Sequence, residues 1–124
     1  MIIDDDAALL RFTSKYLARL GYSISAHRSG EQAWQEFSAP GANYELVMID
    51  LSLAGLPGEK LSQMMLTAKP DVRLILTSGY PFDTRKLFEA GPDRTAFLHK
   101  PFTPSMLADI VERLLRNCPV NNAD

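Results

Sequence analysis

The strongest constraint in this sequence is a fivefold alternation of short apolar runs with longer segments of helical periodicity. The candidate strands, in chain order, are Ile2-Ile3, Ser23 to His27, Leu46 to Ile49, Val72 to Leu76 and Ala96 to Leu98. The candidate helices are Ala8 to Leu20, Ser29 to Phe37, Glu59 to Ala68, Thr84 to Ala90 and Thr103 to Leu115. Such alternation predicts parallel strands joined by right-handed crossovers, with helices on both faces of the sheet. We therefore predict an α/β fold, a doubly wound (βα)5 open sheet of five parallel strands in the flavodoxin-like order 2-1-3-4-5.

The length leaves room for one folded domain. The chain has 124 residues, and a single domain typically holds ~100–150. We assign this domain to residues 1–116 and treat residues 117–124 as a polar C-terminal tail or linker. Because the chain opens on Met1-Ile2-Ile3, which resembles the end of a strand, we expect a fragment or a chain whose first residues are missing.

Composition excludes several classes of function. A hydrophobic share of 46% and a charged share of 23% are typical of a soluble globular domain and argue against disorder. The net charge of −2 predicts no direct binding of nucleic acid or of an anionic membrane. No apolar run approaches the ~18 residues of a membrane-spanning helix. The single cysteine, Cys118, excludes an internal disulfide and fits a cytoplasmic location.

Polar side chains directly follow four of the five predicted strands. They are Asp4, Asp5 and Asp6 after the first, Asp50 after the third, Thr77 and Ser78 after the fourth, and His99 and Lys100 after the fifth. The carboxyl ends of parallel strands lie at one edge of the sheet, where ligands bind near the point at which strand order reverses. These residues are therefore predicted to converge on one small patch.

The predicted patch has the chemistry of a phosphoryl-transfer site. Crowded carboxylates repel one another, so a proton or a cation is needed among them. Mg²⁺ fits best, since it binds a few carboxylates and keeps waters that phosphate oxygens can replace. Lys100 and Thr77 would then surround a phosphoryl group, which leaves a carboxylate as the nucleophile.

Four short motifs give the chain a resemblance to the receiver domains of two-component response regulators over essentially its whole length. They are Ile3-Asp4-Asp5-Asp6, Met48-Ile49-Asp50-Leu51, Leu76-Thr77-Ser78-Gly79 and Leu98-His99-Lys100-Pro101-Phe102. Each motif alone is weak, but four in the right order, each after its own strand, form a strong signal. The Thr77-Ser78-Gly79-Tyr80-Pro81 segment is more similar to receivers attached to sensor histidine kinases than to those of DNA-binding regulators.

The resemblance implies a role for each matching residue. It implies that Asp50 accepts a phosphoryl group from a phosphohistidine of a sensor histidine kinase or phosphotransfer domain. It implies that Mg²⁺ is held by Asp4, Asp5, Asp50 and the backbone carbonyl of Ser52. It further implies that Thr77 contacts the phosphoryl group, that Lys100 pairs with it, and that the bond before Pro101 is cis.

The resemblance also implies a signalling switch rather than an enzyme that acts on metabolites. In the family, phosphorylation moves the threonine inward and an aromatic ring on the fifth strand follows, which correspond here to Thr77 and Phe97. The output face is the fourth helix, fifth strand and fifth helix, about residues 83–116 of this chain. A homodimer through this face is compatible with the resemblance.

Two positions depart from the family pattern, and both lie in the loop after the acceptor. Ala54 stands where the family usually has proline, and Pro57 precedes the loop glycine, Gly58. We therefore expect a differently shaped loop between Ser52 and Gly58.

Other readings remain open at this point. A small aspartyl-phosphate phosphatase of the haloacid dehalogenase type would use Asp4 as nucleophile and Asp6 as acid, but it leaves Asp50 unexplained. A flavodoxin-like flavin binder would need a hydroxyl- and glycine-rich loop where this chain has three aspartates. We assign no catalytic role to His99, which is expected to face away from Lys100, and we expect His27 to be solvated.

Overall fold

The computed structural model describes residues 1–83, 85–90 and 92–116, so the predicted tail at 117–124 and Cys118 lie outside the described residues. The strands are β1 (Ile2–Ile3), β2 (Ala26–His27), β3 (Leu46–Asp50), β4 (Arg73–Ser78) and β5 (Thr95–His99). They form one sheet in the order β2-β1-β3-β4-β5, and every neighbouring pair is parallel. The predicted doubly wound sheet and its strand order are confirmed.

In the part of the chain that the structure describes, five helices connect and cover the strands. They are α1 (Ala7–Arg19), α2 (Gly30–Phe37), α3 (Gly58–Ala68), α4 (Arg85–Ala90) and α5 (Pro104–Arg116). Two of the predicted starts are fixed by side-chain caps: Ser29 accepts a hydrogen bond from the Gln32 amide, and Thr103 accepts one from the Met106 amide. Among the described helices, none has the length and apolar character needed to cross a membrane.

The central strands bury both faces of the sheet, as expected for parallel strands covered by helices. Along β3, Val47 and Ile49 enter one core cluster with Phe37 and Met65, whereas Met48 enters the other. The second cluster joins β-strand residues to α1 and α5, through side chains that include Leu10, Leu17, Leu107, Ile110 and Leu114. Helices therefore cover both faces of the sheet, and the site can form at the carboxyl ends of β1, β3, β4 and β5.

Several strand ends differ from the sequence-based expectations. Asp50, Thr77, Ser78 and His99 were expected just after their strands, but they are the last residues of β3, β4 and β5. The second strand was predicted from Ser23 to His27 but contains only Ala26–His27, because its partner β1 offers only two residues for pairing. Helical periodicity would also place Met106 in the buried stripe of α5, yet this residue is 46% exposed. The buried stripe of α5 runs through Leu107, Ile110, Val111 and Leu114, and Met106 lies beside the edge of that stripe.

Candidate functional site

Three carboxylates meet at the carboxyl edge of the two central strands. Asp4 directly follows β1, and Asp50 ends β3, which pairs with β1 in the register Ile3↔Ile49. Asp4 and Asp50 are each only 3% exposed, whereas Asp5 is exposed to solvent. One carboxylate oxygen from each of the three lies within 4.8 Å of the others. The predicted convergence of Asp4, Asp5 and Asp50 is therefore seen in the structure.

Lys100 reaches this cluster from the end of β5. Its ammonium donates to Asp4 Oδ2 at 2.9 Å and to Asp50 Oδ2 at 3.2 Å. Burial disfavours the ammonium charge, but the hydrogen bonds and the attraction of Asp4 and Asp50 outweigh it and raise the pKa of Lys100. The peptide bond between Lys100 and Pro101 is cis, as the resemblance implied.

The acidic cluster carries more negative than positive charge. Burial raises the pKa of the Asp4 carboxyl, although bonds from Lys100 and from the Asp6 amide favour its charged form. Three ionised carboxylates beside one ammonium leave a charge of −2. Oxygen donors with this excess charge fit a hard divalent cation such as Mg²⁺.

Both oxygens of the Asp50 side chain have hydrogen-bonding partners. Oδ2 accepts from Lys100, and Oδ1 accepts from the Ser52 amide at 2.9 Å. The Asp50 backbone is enclosed by Gly58, where a Cβ atom would lie 2.4 Å from the Asp50 carbonyl oxygen. The sequence marked Gly58 only as a loop glycine, and its close approach to Asp50 became apparent only from the structure.

Thr77 lies next to Asp50 across the sheet, because the two residues pair in the register of β3 and β4. Its side chain is 1% exposed, and its hydroxyl donates a long 3.4 Å bond to the Ile49 carbonyl. Phe97 pairs with Leu76, the residue before Thr77, and its half-buried ring packs against the core cluster of β3 and α3. The two predicted switch residues therefore lie on neighbouring strands.

Three further polar residues from the predicted patch do not join the carboxylate cluster. Asp6 caps α1, since its Oδ1 accepts from the Ala8 and Leu9 amides at 3.0 and 3.1 Å. Ser78 accepts from the Tyr80 amide instead. His99 is exposed, and its ring packs edge-on against Phe97 with the centroids 4.4 Å apart.

His27 was predicted to be solvated, but the structure shows its side chain largely shielded from solvent. Its side chain is 14% exposed and lies 3.2 Å from the Glu36 carboxylate. Glu36 also accepts hydrogen bonds from the Ser25 and Tyr44 hydroxyls. Ser25 and Glu36 both contact the same ring nitrogen of His27, Nε2. In a hydrolytic triad the serine and the acid contact opposite ring nitrogens of the histidine, so Ser25, His27 and Glu36 do not form one.

Comparison with known proteins identifies the family. The model of the response regulator receiver domain matches residues 1–112. The transcriptional regulatory protein ResD of Bacillus subtilis is 32% identical over 119 residues, which cover 94% of this chain and 47% of ResD. Sensor kinase CckA of Brucella abortus is 25% identical over 115 residues, covering 93% of this chain and 12% of CckA. The chain thus spans about half, or less, of the length of these relatives.

Solved structures agree with this family. The BeF3-activated receiver domain of DrrB, a Thermotoga maritima protein, has a TM-score of 0.78 at 27% identity and covers 93% of this chain and 94% of its own. A CheY-like receiver domain protein from Methanospirillum hungatei has a TM-score of 0.76 at 26% identity, covering 94% of this chain and 92% of its own.

The phosphatase interpretation receives no support from these matches, and the capping role of Asp6 removes the acid that it requires. The sheet order, the converging carboxylates and the family match all lead to the same assignment. This chain belongs to the family of response regulator receiver domains.

Proposed function

We propose that Asp50 accepts a phosphoryl group from a phosphohistidine of a sensor histidine kinase or of a phosphotransfer domain, in a Mg²⁺-dependent reaction. The observation that carries this proposal is the position of Lys100, whose ammonium bridges Asp4 and Asp50. A carboxylate oxygen of Asp5 lies within 4.8 Å of an oxygen of each of these two aspartates. Phosphoryl transfer needs mainly positioning and charge neutralisation, which such a cluster is suited to provide.

In the proposed reaction an Asp50 carboxylate oxygen attacks phosphorus in line with the bond to the donor nitrogen. The new O–P bond forms as the N–P bond breaks, and the electron pair of that bond returns to the imidazole nitrogen, which takes up a proton. The Ser52 amide holds Oδ1 of Asp50 and so orients the carboxylate. Lys100 turns its ammonium to the transferred group, and the Thr77 hydroxyl donates to a phosphoryl oxygen.

The donor set proposed for Mg²⁺ consists of Asp4, Asp5, Asp50 and the backbone carbonyl of Ser52. When bound, the ion supplies positive charge against the phosphoryl oxygens. Exposed Asp5 provides a solvent-facing ligand, whereas buried Asp4 and Asp50 fix the inner side of the site. Mg²⁺ usually keeps several waters, which suits a site that is open on the Asp5 side.

Phosphorylation is further proposed to act as a switch through Thr77 and Phe97. Movement of the Thr77 hydroxyl toward a phosphoryl group would break its long bond to Ile49 and open space beside β5. The output surface is then α4, β5 and α5, where a homodimer could also form. We place this signalling module in the cytoplasm, without direct contact to nucleic acid or membrane and without an enzymatic activity on metabolites.

The stoichiometry of phosphorylation tests this function. The protein is incubated with a small phosphodonor such as acetyl phosphate, with and without MgCl2, and its intact mass is followed over time. We expect at most one phosphoryl group per chain, only with MgCl2, and none in Asp50→Asn. Steady hydrolysis of the donor that persists in Asp50→Asn would instead support the phosphatase interpretation.

A further inference from the structure

The loop between β3 and α3, residues 51–57, touches the first turn of α2. The carboxylate of Glu31 accepts a hydrogen bond from the Leu56 amide, with an Oε2 to N distance of 3.2 Å. The two residues are 25 positions apart in the chain. This bond therefore joins the loop that follows Asp50 to a different helix.

Backbone packing reinforces the same contact. Gly55 has a φ of +77°, and a Cβ atom there would lie 2.8 Å from Glu31 Oε2, so the carboxylate rests directly on the loop backbone. A Cβ atom at Gly30 would lie 3.1 Å from the Leu56 carbonyl oxygen. Two consecutive residues of α2 thus meet two consecutive residues of the loop, and we name this contact the α2 latch.

The latch adds to what the core holds in this loop, because Leu56 is itself half-buried against the core cluster of β3 and α3. Leu53 is 8% exposed and anchors the first half of the loop in the core. Ala54 and Gly55 are exposed, so their position depends on the hydrogen bond that Glu31 accepts from the next residue, Leu56. The far end of the loop is fixed by the packing of Gly58 on the Asp50 carbonyl. The α2 latch therefore adds an anchor at Gly55 and Leu56 to the same loop that begins beside Asp50 and contains Ser52.

We propose that Glu31 is a positioning residue for phosphorylation, acting through the α2 latch to fix the loop that presents the Ser52 carbonyl to Mg²⁺. This inference rests on the proposed function, because that function assigns the Ser52 carbonyl as a metal ligand. Mg²⁺ tolerates little departure from octahedral geometry, so a looser loop lowers its affinity. Once the ion is bound, the attack by Asp50 proceeds as before.

Three variants test the latch. Glu31→Ala removes the acceptor, while Glu31→Gln keeps an acceptor oxygen but removes the charge. Glu59→Ala is the matched control, since Glu59 is the acidic residue in the first turn of α3, as Glu31 is in α2. Each variant is measured by titration calorimetry with MgCl2, by the MgCl2 dependence of phosphorylation from acetyl phosphate, and by hydrogen exchange at the Leu56 amide.

We expect Glu31→Ala to raise the MgCl2 concentration at half-saturation about threefold to tenfold, the effect of losing one ordinary hydrogen bond. The maximal phosphorylation rate at saturating MgCl2 and the unfolding midpoint should stay near wild type, while the Leu56 amide exchanges faster. Glu31→Gln should resemble wild type, and so should Glu59→Ala. A merely structural role would lower the unfolding midpoint without moving the half-saturation point.

Two results would overturn the proposal. One is an unchanged half-saturation point in Glu31→Ala, and the other is an equal loss in Glu31→Gln or Glu59→Ala, which would assign the effect to charge alone. Failure of the proposed function is distinguishable, because wild type would then show no MgCl2-dependent phosphorylation. Calorimetry and Leu56 exchange would still report on the latch in that case.

Discussion

The Lys100 ammonium lies 3.2 Å from the Asp50 carboxylate, 50 residues away in the chain, and 2.9 Å from Asp4. One cation is therefore shared by two carboxylates that are almost fully buried. This arrangement makes Lys100 the internal counter-ion of the site and leaves negative charge for a second cation to neutralise.

The shared counter-ion predicts that the stability of a Lys100→Met variant depends on Mg²⁺. Removing one partner of a buried charge pair can cost about 3–5 kcal/mol. Because the Lys100 side chain is 20% exposed, we expect a smaller loss of about 1–3 kcal/mol in the free energy of unfolding without Mg²⁺. Urea unfolding with and without MgCl2 measures this loss, which should shrink when MgCl2 is added. A loss of the same size in both conditions would contradict the shared role.

Thr77 allows the chemistry of its hydroxyl to be separated from the packing of its methyl group. Thr77→Ala should slow phosphorylation about threefold to tenfold, since one hydrogen bond to the phosphoryl group is lost. It should also cost about 1 kcal/mol of stability through lost packing. Thr77→Ser keeps the hydroxyl, so it should restore the rate but not the stability. Measured rates that fall equally in both variants would argue against a hydrogen-bonding role.

Gly58→Ala is predicted to destabilise the protein although alanine is the better helix former. Alanine would gain about 1 kcal/mol at an ordinary helix position. Its Cβ would lie 2.4 Å from the Asp50 carbonyl oxygen and 2.8 Å from the Leu51 Cα, so the backbone must shift. We expect a net loss of about 1–3 kcal/mol, as for other overpacked sites, together with slower phosphorylation. A thermal unfolding midpoint of Gly58→Ala at or above that of wild type would contradict this prediction.

The Glu36 cluster predicts a pH-dependent contribution to stability at low pH. Hydrogen bonds from Ser25, Tyr44 and His27 lower the pKa of Glu36 from 4.5 to about 2. A lowered carboxyl pKa stabilises the folded state above pH 4.5, and this contribution is lost as the pH falls through about 2. Because the side chain is 41% exposed, screening reduces the gain to about 1 kcal/mol or less.

Unfolding of Glu36→Gln and wild type across this pH range measures the contribution. Wild type should be the more stable protein at neutral pH, and the difference should shrink toward zero below pH 4.5. A constant difference across the range would mean that the Glu36 charge does not contribute. Glu112→Gln, which alters an exposed ion pair with Arg116, provides a control of the same chemistry.

The sequence was sufficient to predict the sheet and the place where Asp4, Asp5, Asp50 and Lys100 meet. Strand alternation determines the topology, and the topology brings the ends of parallel strands together, so distant residues could be placed without coordinates. Side chains such as Asp6 could not be assigned in this way. The position of Asp6 in the sequence fits both a site residue and the N-cap of a helix. The hydrogen bonds that its side chain accepts from the Ala8 and Leu9 amides show that it is the N-cap of α1.

Side-chain contacts between different elements were not predictable where neither apolar periodicity nor a strand end marks the residues. His27 was predicted to be solvated because its partner Glu36 lies on the next helix, and the sequence gives no sign that Glu36 is more than an exposed surface acid. Glu31 gave no signal either, since its bond to Leu56 depends on the turn at Gly55 rather than on any motif. Such contacts follow from loop geometry, which the pattern of apolar residues does not specify.

Identifying the residue that carries the phosphoryl group is the most direct test of Asp50 as the acceptor. Peptide mapping by tandem mass spectrometry, after incubation with acetyl phosphate and MgCl2, locates the modified carboxylate. We expect modification of Asp50 in wild type and in Glu59→Ala, and its loss in Asp50→Asn. Modification of Asp4, or an Asp50→Asn protein labelled as fully as wild type, would contradict this prediction.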